Sequence, residues 1–453
     1  MEFIRKDNGQ RIRVASQPDV GSGGEAGIHS VLGSSDLVAK LYKQPRQLTF
    51  DKIRAMLSKP PAGHPDHITT AWPLAIIIQA DGHQGEVGYL MPRITNVYKV
   101  FELFNPSRRR EVAPTFNFRS LTRLARNVAV AFADVHAAGH VVGDVNESNV
   151  LATKTAMATL VDTDSFQIRG SKSTFRCQVG RPEYSPPELQ GIRFDEVERT
   201  IHSDAFGLAV LIFQILMEGV HPFDGVRVLG DEPESREKRI SRGAWPYLDG
   251  SGYKPAMTAP PLSMIDEPLR LLFWHAFVNG HKTSSLRPTA QEWAHAIDHS
   301  QTRLVSCNQT SNHFYWPHLD SCPWCDRYRY IGQDSFATPT TRNQLALFKN
   351  SPVLNNGSAL SMSSAKSLRV SENYEEADLV LRILLSTGVE EGQCYFELGM
   401  VNLGRRKIPQ ALAHLIRARH CGFQDSVAWQ EAATFAATFD KRLASQILEL
   451  SSS

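Results

Sequence analysis

The chain has 453 residues, with 49 basic against 47 acidic side chains and a formal net charge of +2. So balanced a chain carries no field strong enough to make nucleic acid or a membrane surface its main partner. Its length exceeds one ordinary core and points to roughly two to four domains.

The composition, 42% hydrophobic and 21% charged, is that of a soluble globular protein. The opening "MEFIRKDNGQRIRV" has charges where a secretory signal needs an apolar core, so secretion is not expected. The apolar run "AFGLAVLIFQILM" (205–217) is too short to cross a bilayer and reads as a helix buried on all sides. Three of the six cysteines fall within nineteen residues and the others are scattered, which is no disulfide framework. The expected compartment is the cytoplasm.

In chain order, the first informative stretch is "VGSGGEAGIHSVLGSSDLVAKLYK". Gly21, Gly23 and Gly24 let the backbone turn tightly and bring N–H groups against an anion. By itself this is a Gly-rich turn. "LVAKLYK" has the apolar character of a strand, with Lys40 inside it. Further on, Leu121, Leu124, Ala125, Val128, Phe132 and Val135 recur at helical spacing, and Gly139 ends that helix. A turn with Asp144 and Asn149 follows, then a strand pair, then a second turn, "VDTD", with Asp162 and Asp164. Each Asp taken singly is an ordinary turn residue. Together, after a glycine loop and a strand lysine, they suggest metal-assisted chemistry on an anion.

These segments resemble the protein kinase superfamily. "HVVGDVNESNVL" is similar to the catalytic loop, "LVDTDSF" stands where the D-F-G segment would, and "VAK" resembles the strand-3 lysine motif. "GRPEYSPPELQG" resembles the A-P-E segment with Glu188 as its acid, and "SLRPTAQEW" the late segment whose arginine pairs with it. The resemblance covers roughly 280 residues in order. It implies that Gly21, Gly23, Gly24 and Gly27 cover the ATP phosphates, that Lys40 contacts them, and that Asp144 accepts the proton of the attacking hydroxyl. Asn149 and Asp162 would hold Mg²⁺ (or Mn²⁺), with Asp164 the alternative ligand, and Met91 and Arg93 would lie near the adenine. "EYSPPEL" implies a protein rather than a small-molecule acceptor.

The chain departs from that pattern in four places. Gly143 replaces the arginine before the catalytic Asp, which removes the docking point for an activation-loop phosphate. Asn146 stands where a lysine faces the γ-phosphate, and Ala26 replaces the third loop glycine. "KQPRQLTFDKIRAMLSKPP" offers no glutamate to pair with Lys40, and Asp51 is its nearest carboxylate. "GSGGEAG", "KIRAML", "VVGDVN", "VDTDSFQI" and "EYSPPEL" together resemble a bacterial kinase group associated with a PP2C-type phosphatase and a von Willebrand A protein in stress and tellurite-resistance clusters. Those two proteins are the implied partners. The charged stretch 227–243 reads as a solvated insert.

Beyond residue 300, "CNQTSNHFYWPHLDSCPWCDR" offers Cys307, His313, Cys322 and Cys325 as a structural zinc set, with His318 as the alternative fourth ligand. The competing readings are a redox C-x-x-C and plain buried cysteines; no thioredoxin-like βαβ pattern surrounds the pair. A Ser/Thr/Asn-rich linker follows at 333–365. From 366 to 453 a 34-residue period relates Ala377, Leu381 and Leu384 to Ala411, Leu415 and Ala418, with Leu398 and Gly399 between. That is tetratricopeptide spacing, and a plain helical bundle is the alternative.

The expected fold is α+β. A bilobal kinase-like domain spans 1–300, with lobes at about 1–92 and 93–300, followed by a zinc module at 301–332 and a TPR-like helical tail. The expected function is an ATP- and Mg²⁺-dependent serine/threonine protein kinase in bacterial signalling, with protein substrates and a partner on the tail. The alternative is a nucleotide-binding pseudokinase scaffold that acts through its zinc module and tail.

Overall fold

The computed structural model describes all residues except 81–84, 172, 229–233, 333, 338–360, 387–389 and 453, and the side chains of 330, 375, 379, 382, 383, 386 and 452. Most of the expected linker therefore lies outside the described residues. The chain forms two compact units: Met1–Val305 with Trp316–His318, and Ser306–Tyr315 with Leu319–Ser453. No described helix is long and apolar enough to cross a membrane.

The first unit opens with an antiparallel sheet of β1 (Glu2–Arg5), β2 (Arg11–Arg13), β3 (Gly21–Ser22), β4 (Ala26–Ser30), β5 (Leu37–Tyr42), β6 (Ala75–Gln79) and β7 (Glu86–Pro92). Their spatial order is β2-β1-β6-β7-β5-β4-β3. Side chains alternate between the two faces of a sheet, so strictly paired residues share a face. One face packs Phe3, Ile12, Val14, Val31, Ala39, Ala75, Ile77 and Leu90 into a core. The other face carries Ile28, Lys40 and Tyr89 in one cross-strand row and Ser30, Val38 and Met91 in the next. Gly21 and Gly27 lie in the β3–β4 hairpin, which closes with Gly23 N–H donating to the Ala26 carbonyl.

Helix α1 (Gln47–Ser58) buries Phe50, Ile53 and Met56, and the Trp72 indole donates to the Met56 carbonyl at 3.0 Å. The remainder of the unit is mainly helical. Helix α2 (Phe118–Ala137) starts where Asn117 Oδ1 accepts the Ser120 N–H, and it ends at Gly139, whose φ is +78°. All six residues at the expected helical spacing are buried along it. Helix α3 (Ile201–Leu216) is capped by Thr200 and is buried from Ser203 to Leu216, as its unbroken apolar run requires. Between α2 and α3 lies the expected strand pair, Val150–Thr153 with Ala158–Leu160.

In the second unit, α4 (Pro323–Ile331) starts at Cys322, and six further helices follow among the described residues. They are α5 (Met362–Val370), α6 (Tyr374–Ser386), α7 (Glu391–Gly404), α8 (Ile408–His420) and α9 (Ser426–Ala437), with α10 (Lys441–Ser452) closing the chain. Ala377, Leu381, Leu384, Leu398, Ala411, Leu415 and Ala418, the residues singled out by the 34-residue period, are all buried. Gly399 explains why a small residue is needed there: a Cβ would come within 2.7 Å of the Leu415 side chain. We expect Gly399→Leu to force α7 from α8 at a cost of about 1–3 kcal/mol, the usual range for overpacking. Hydrogen–deuterium exchange would register this as faster exchange in both helices.

Candidate active site and metal centre

The turn after α2 owes its shape to a buried carboxylate. Asp204, in the first turn of α3, accepts the backbone N–H of Val142 at 2.6 Å and of Gly143 at 2.8 Å. His136 Nε2 lies 2.9 Å from the same carboxylate. Sequence reasoning missed Asp204. The signal was available: an acid at the head of an otherwise apolar helix must find partners when buried.

Gly143 sits at φ +73°, and a Cβ there would fall 2.6 Å from Cys177 Cβ. The replacement of arginine is therefore dictated by space as well as by backbone conformation. Arg199 reaches the same point from another element. Its guanidinium donates to the Gly143 and Val179 carbonyls at 3.1 and 3.2 Å and lies 4.0 Å from the Phe194 ring centroid.

Asp144 follows at once. Asn149 Nδ2 donates to Asp144 Oδ2 at 3.0 Å and to its carbonyl at 3.1 Å. Burial pushes the Asp144 carboxyl above the ordinary range, opposed by its amide neighbours Asn149 and Asn146. Asn146 is itself buried, donating to the Asp144 carbonyl and accepting from Ser148 N–H, so it stabilises the turn and offers no cation to a ligand.

The "DTD" turn closes on the sheet. Lys40 Nζ lies 2.8 Å from Asp162 Oδ1 and 2.5 Å from Asp164 Oδ1. Burial alone would lower the Lys40 pKa, but Asp164 and Asp162 outweigh it and raise it. The Tyr42 hydroxyl donates to Asp164 Oδ2 at 2.7 Å. Asp51, the nearest carboxylate in sequence, does not serve as the lysine's partner, because it is bonded to Gln47 and Arg54 of its own helix. It is Lys52 that α1 turns toward the site: burial lowers its pKa, and Cys177, Asp164 and Asp162 oppose that shift.

The two aspartates differ in access. The Asp162 side chain is 47% exposed, whereas that of Asp164 is 12% exposed and has both oxygens engaged. Asp162 has left-handed backbone, φ 56° and ψ 39°, which turns it out of the strand direction. Among the described residues no protein donor uses Asp162 Oδ2 or the amide oxygen of Asn149. These hard oxygen donors suit Mg²⁺. Met91 is buried on the Lys40 face beside Val38. Arg93 donates to Ser30 Oγ at 3.2 Å on the same face.

In the same unit, Arg287 grips Glu188 with two bonds of 2.6 and 2.7 Å. Arg181 ties the segment before Glu188 to the Asp144 turn through Glu147 at 2.8 Å and Ser148 at 3.0 Å.

The chain is 35% identical over 313 residues to Protein kinase YegI of Escherichia coli O157:H7, covering 68% of this chain and 48% of that protein. The same values hold for Protein kinase YegI of strain K12. The chain is kinase-like. It spans about half the length of these curated relatives. No family model matches it. Among solved structures, a rhoptry kinase from Toxoplasma gondii is 10% identical, with a TM-score of 0.46, over 66% of this chain and 83% of its own. The ROP18 kinase domain in complex with AMP-PNP and sucrose is 18% identical, with a TM-score of 0.43, over 66% and 82%. A kinase-like domain implies ATP and Mg²⁺ as ligands.

The second unit holds the metal-type cluster. Ligand atoms of Cys307, His313, Cys322 and Cys325 all lie within 4.8 Å of one another. Cys307 Sγ is 3.6 Å from Cys325 Sγ, and His313 Nδ1 is 3.6 Å from Cys322 Sγ and 3.5 Å from Cys325 Sγ. A zinc–sulfur bond of about 2.3 Å in tetrahedral geometry separates sulfurs by roughly 3.8 Å, so the spacing fits that ion. Asp334 Oδ1, 2.8 Å from His313 Nε2, fixes the tautomer that leaves Nδ1 toward the cysteines. His318, the alternative, bonds instead to the Ser263 carbonyl.

We expect Asp204→Ala to cost about 3–5 kcal/mol in urea unfolding, because it strands buried partners, and Asp204→Asn to cost less because it keeps an acceptor. Elemental analysis of the purified chain is expected to find zinc, and Cys322→Ser to lose it.

Proposed function

We propose that the chain is a serine/threonine protein kinase that transfers the γ-phosphoryl group of ATP to a protein hydroxyl. The observations that support this reading are that Lys40, on the sheet face lined by Ile28, Val38 and Met91, meets Asp162, and that Asp144 is paired with Asn149 in the turn before it. An apolar roof for a base, a lysine for phosphates, two oxygen ligands and a separate carboxylate meet the needs of phosphoryl transfer, which is mostly positioning and charge neutralisation.

In this reading the adenine lies against Val38 and Met91, and the β3–β4 hairpin covers the phosphates with the backbone of Gly21, Gly23, Gly24 and Gly27. Lys40 holds the α- and β-phosphates. Asp162 and Asn149 would hold Mg²⁺, which supplies charge neutralisation between the phosphate oxygens. Asp144 orients the acceptor hydroxyl and takes its proton as the new O–P bond forms and the β–γ bridging bond breaks, releasing ADP. The Glu188–Arg287 pair supports a fixed platform for a protein acceptor. Cys307, His313, Cys322 and Cys325 hold zinc with no open ligand position, which is a structural role. The TPR-like tail recruits a partner in bacterial signalling, a PP2C-type phosphatase or a von Willebrand A protein being the kind that the motifs suggest.

One observation favours a scaffold instead. Asn146 is folded into its own turn, so the cation that usually meets the γ-phosphate is missing. Transfer from γ-labelled ATP with Mg²⁺, onto the chain and a basic acceptor protein, separates the readings. We expect label with the native chain and at least a ~100-fold loss with Asp144→Asn, in line with the loss of a general base. ATP binding without transfer would favour the scaffold.

A further inference from the structure

We propose that Asp164, braced by Tyr42, is the positioning residue that fixes Lys40 for the nucleotide phosphates, in place of a carboxylate on α1. The inference rests on the kinase reading and names how its lysine is held.

A phosphate-binding lysine needs a fixed anion beside it, because its four-carbon stem otherwise samples many rotamers. Helix α1 cannot supply one. Its sequence, "QLTFDKIRAMLS", contains a single acid, Asp51, which is exposed and bonded within its own helix. Asp164 occupies the gap. It meets Lys40 at 2.5 Å through one oxygen and Tyr42 at 2.7 Å through the other. Lys40 and Tyr42 are two residues apart on β5, so they project from the same face and flank one carboxylate.

The turn that bears Asp164 is itself held. Thr163 is buried and donates from Oγ1 to the Ala71 carbonyl at 3.0 Å, while Ser165 N–H and Oγ both bond to the Asp162 carbonyl. Asp164 is thus a rigid, shielded acceptor, fully used by protein donors. Asp162, exposed and with an oxygen to spare, keeps the other task. The doubled acid is a division of labour: the outer carboxylate for the metal, the inner one for the lysine.

The test is the affinity of the full chain for Mg·ATP and for adenosine, by calorimetric titration. Asp164→Asn keeps the shape of the turn and removes the charge. We expect it to weaken Mg·ATP about tenfold, the size of one charge-assisted hydrogen bond, while adenosine binds as before. Asp51→Asn should change neither. In a Lys40→Ala background, Asp164→Asn should add nothing, since its effect passes through the lysine. The inference is overturned by Mg·ATP affinity within about twofold of native, by equal losses for adenosine and Mg·ATP, or by additive losses in the double variant. A native chain that binds Mg·ATP no better than adenosine would instead remove the kinase reading, and this inference with it.

Discussion

The active geometry hangs on one buried carboxylate. Asp204 lies at the head of a helix buried on every side, where an unpaired charge would cost several kcal/mol. It is stabilised only if partners come to it, and those it finds are His136 Nε2 and the N–H groups of Val142 and Gly143. Two consecutive peptide planes are therefore fixed immediately before Asp144. Asn149 and Asn146 then tie the residues that follow back to the Asp144 carbonyl. The position of the candidate base is thus set by main-chain bonds to a helix buried almost throughout, and Asn149 holds one oxygen of its carboxylate.

The apparent losses in the sequence become compensated once the chain is folded. Gly143 looks like a missing arginine, yet Cys177 leaves no room for any side chain, and Arg199 bonds the Gly143 carbonyl from another direction. That link joins the Asp144 turn to Val179 with protein groups alone. Asn146 looks like a missing lysine, but it closes the turn. The helix without a glutamate offers Lys52 toward a site whose lysine already has two carboxylates.

Much of this was legible beforehand, for identifiable reasons. Helical periodicity picked out six positions of α2 that all prove buried, because one face of that helix meets the core. The 34-residue period picked out the packing residues of the tail because close helix pairs demand small side chains at fixed offsets. The order Lys40, Asp144, Asn149, Asp162 was readable because one strand carries the lysine and local turns carry the other three. Asp164 as the partner of Lys40 was not, since the two are 124 residues apart and only closure of the sheet over the turn joins them. Spacing already favoured His313 over His318, and the contacts agree with it: Asp334 holds His313, whereas His318 bonds to the Ser263 carbonyl.

Lys40 touches two acids separated by a single buried threonine, and this has a bearing on how such a site can be dismantled. Where the lysine's partner rides on a helix and the metal ligand on a loop, two bodies must come together, and mixed states with one in and the other out can persist. Here both acids belong to one turn pinned through Thr163 to the Ala71 carbonyl. Whatever lifts that turn withdraws both acids from the lysine in the same motion. A compound that wedges α1 outward would find no half-assembled site to trap.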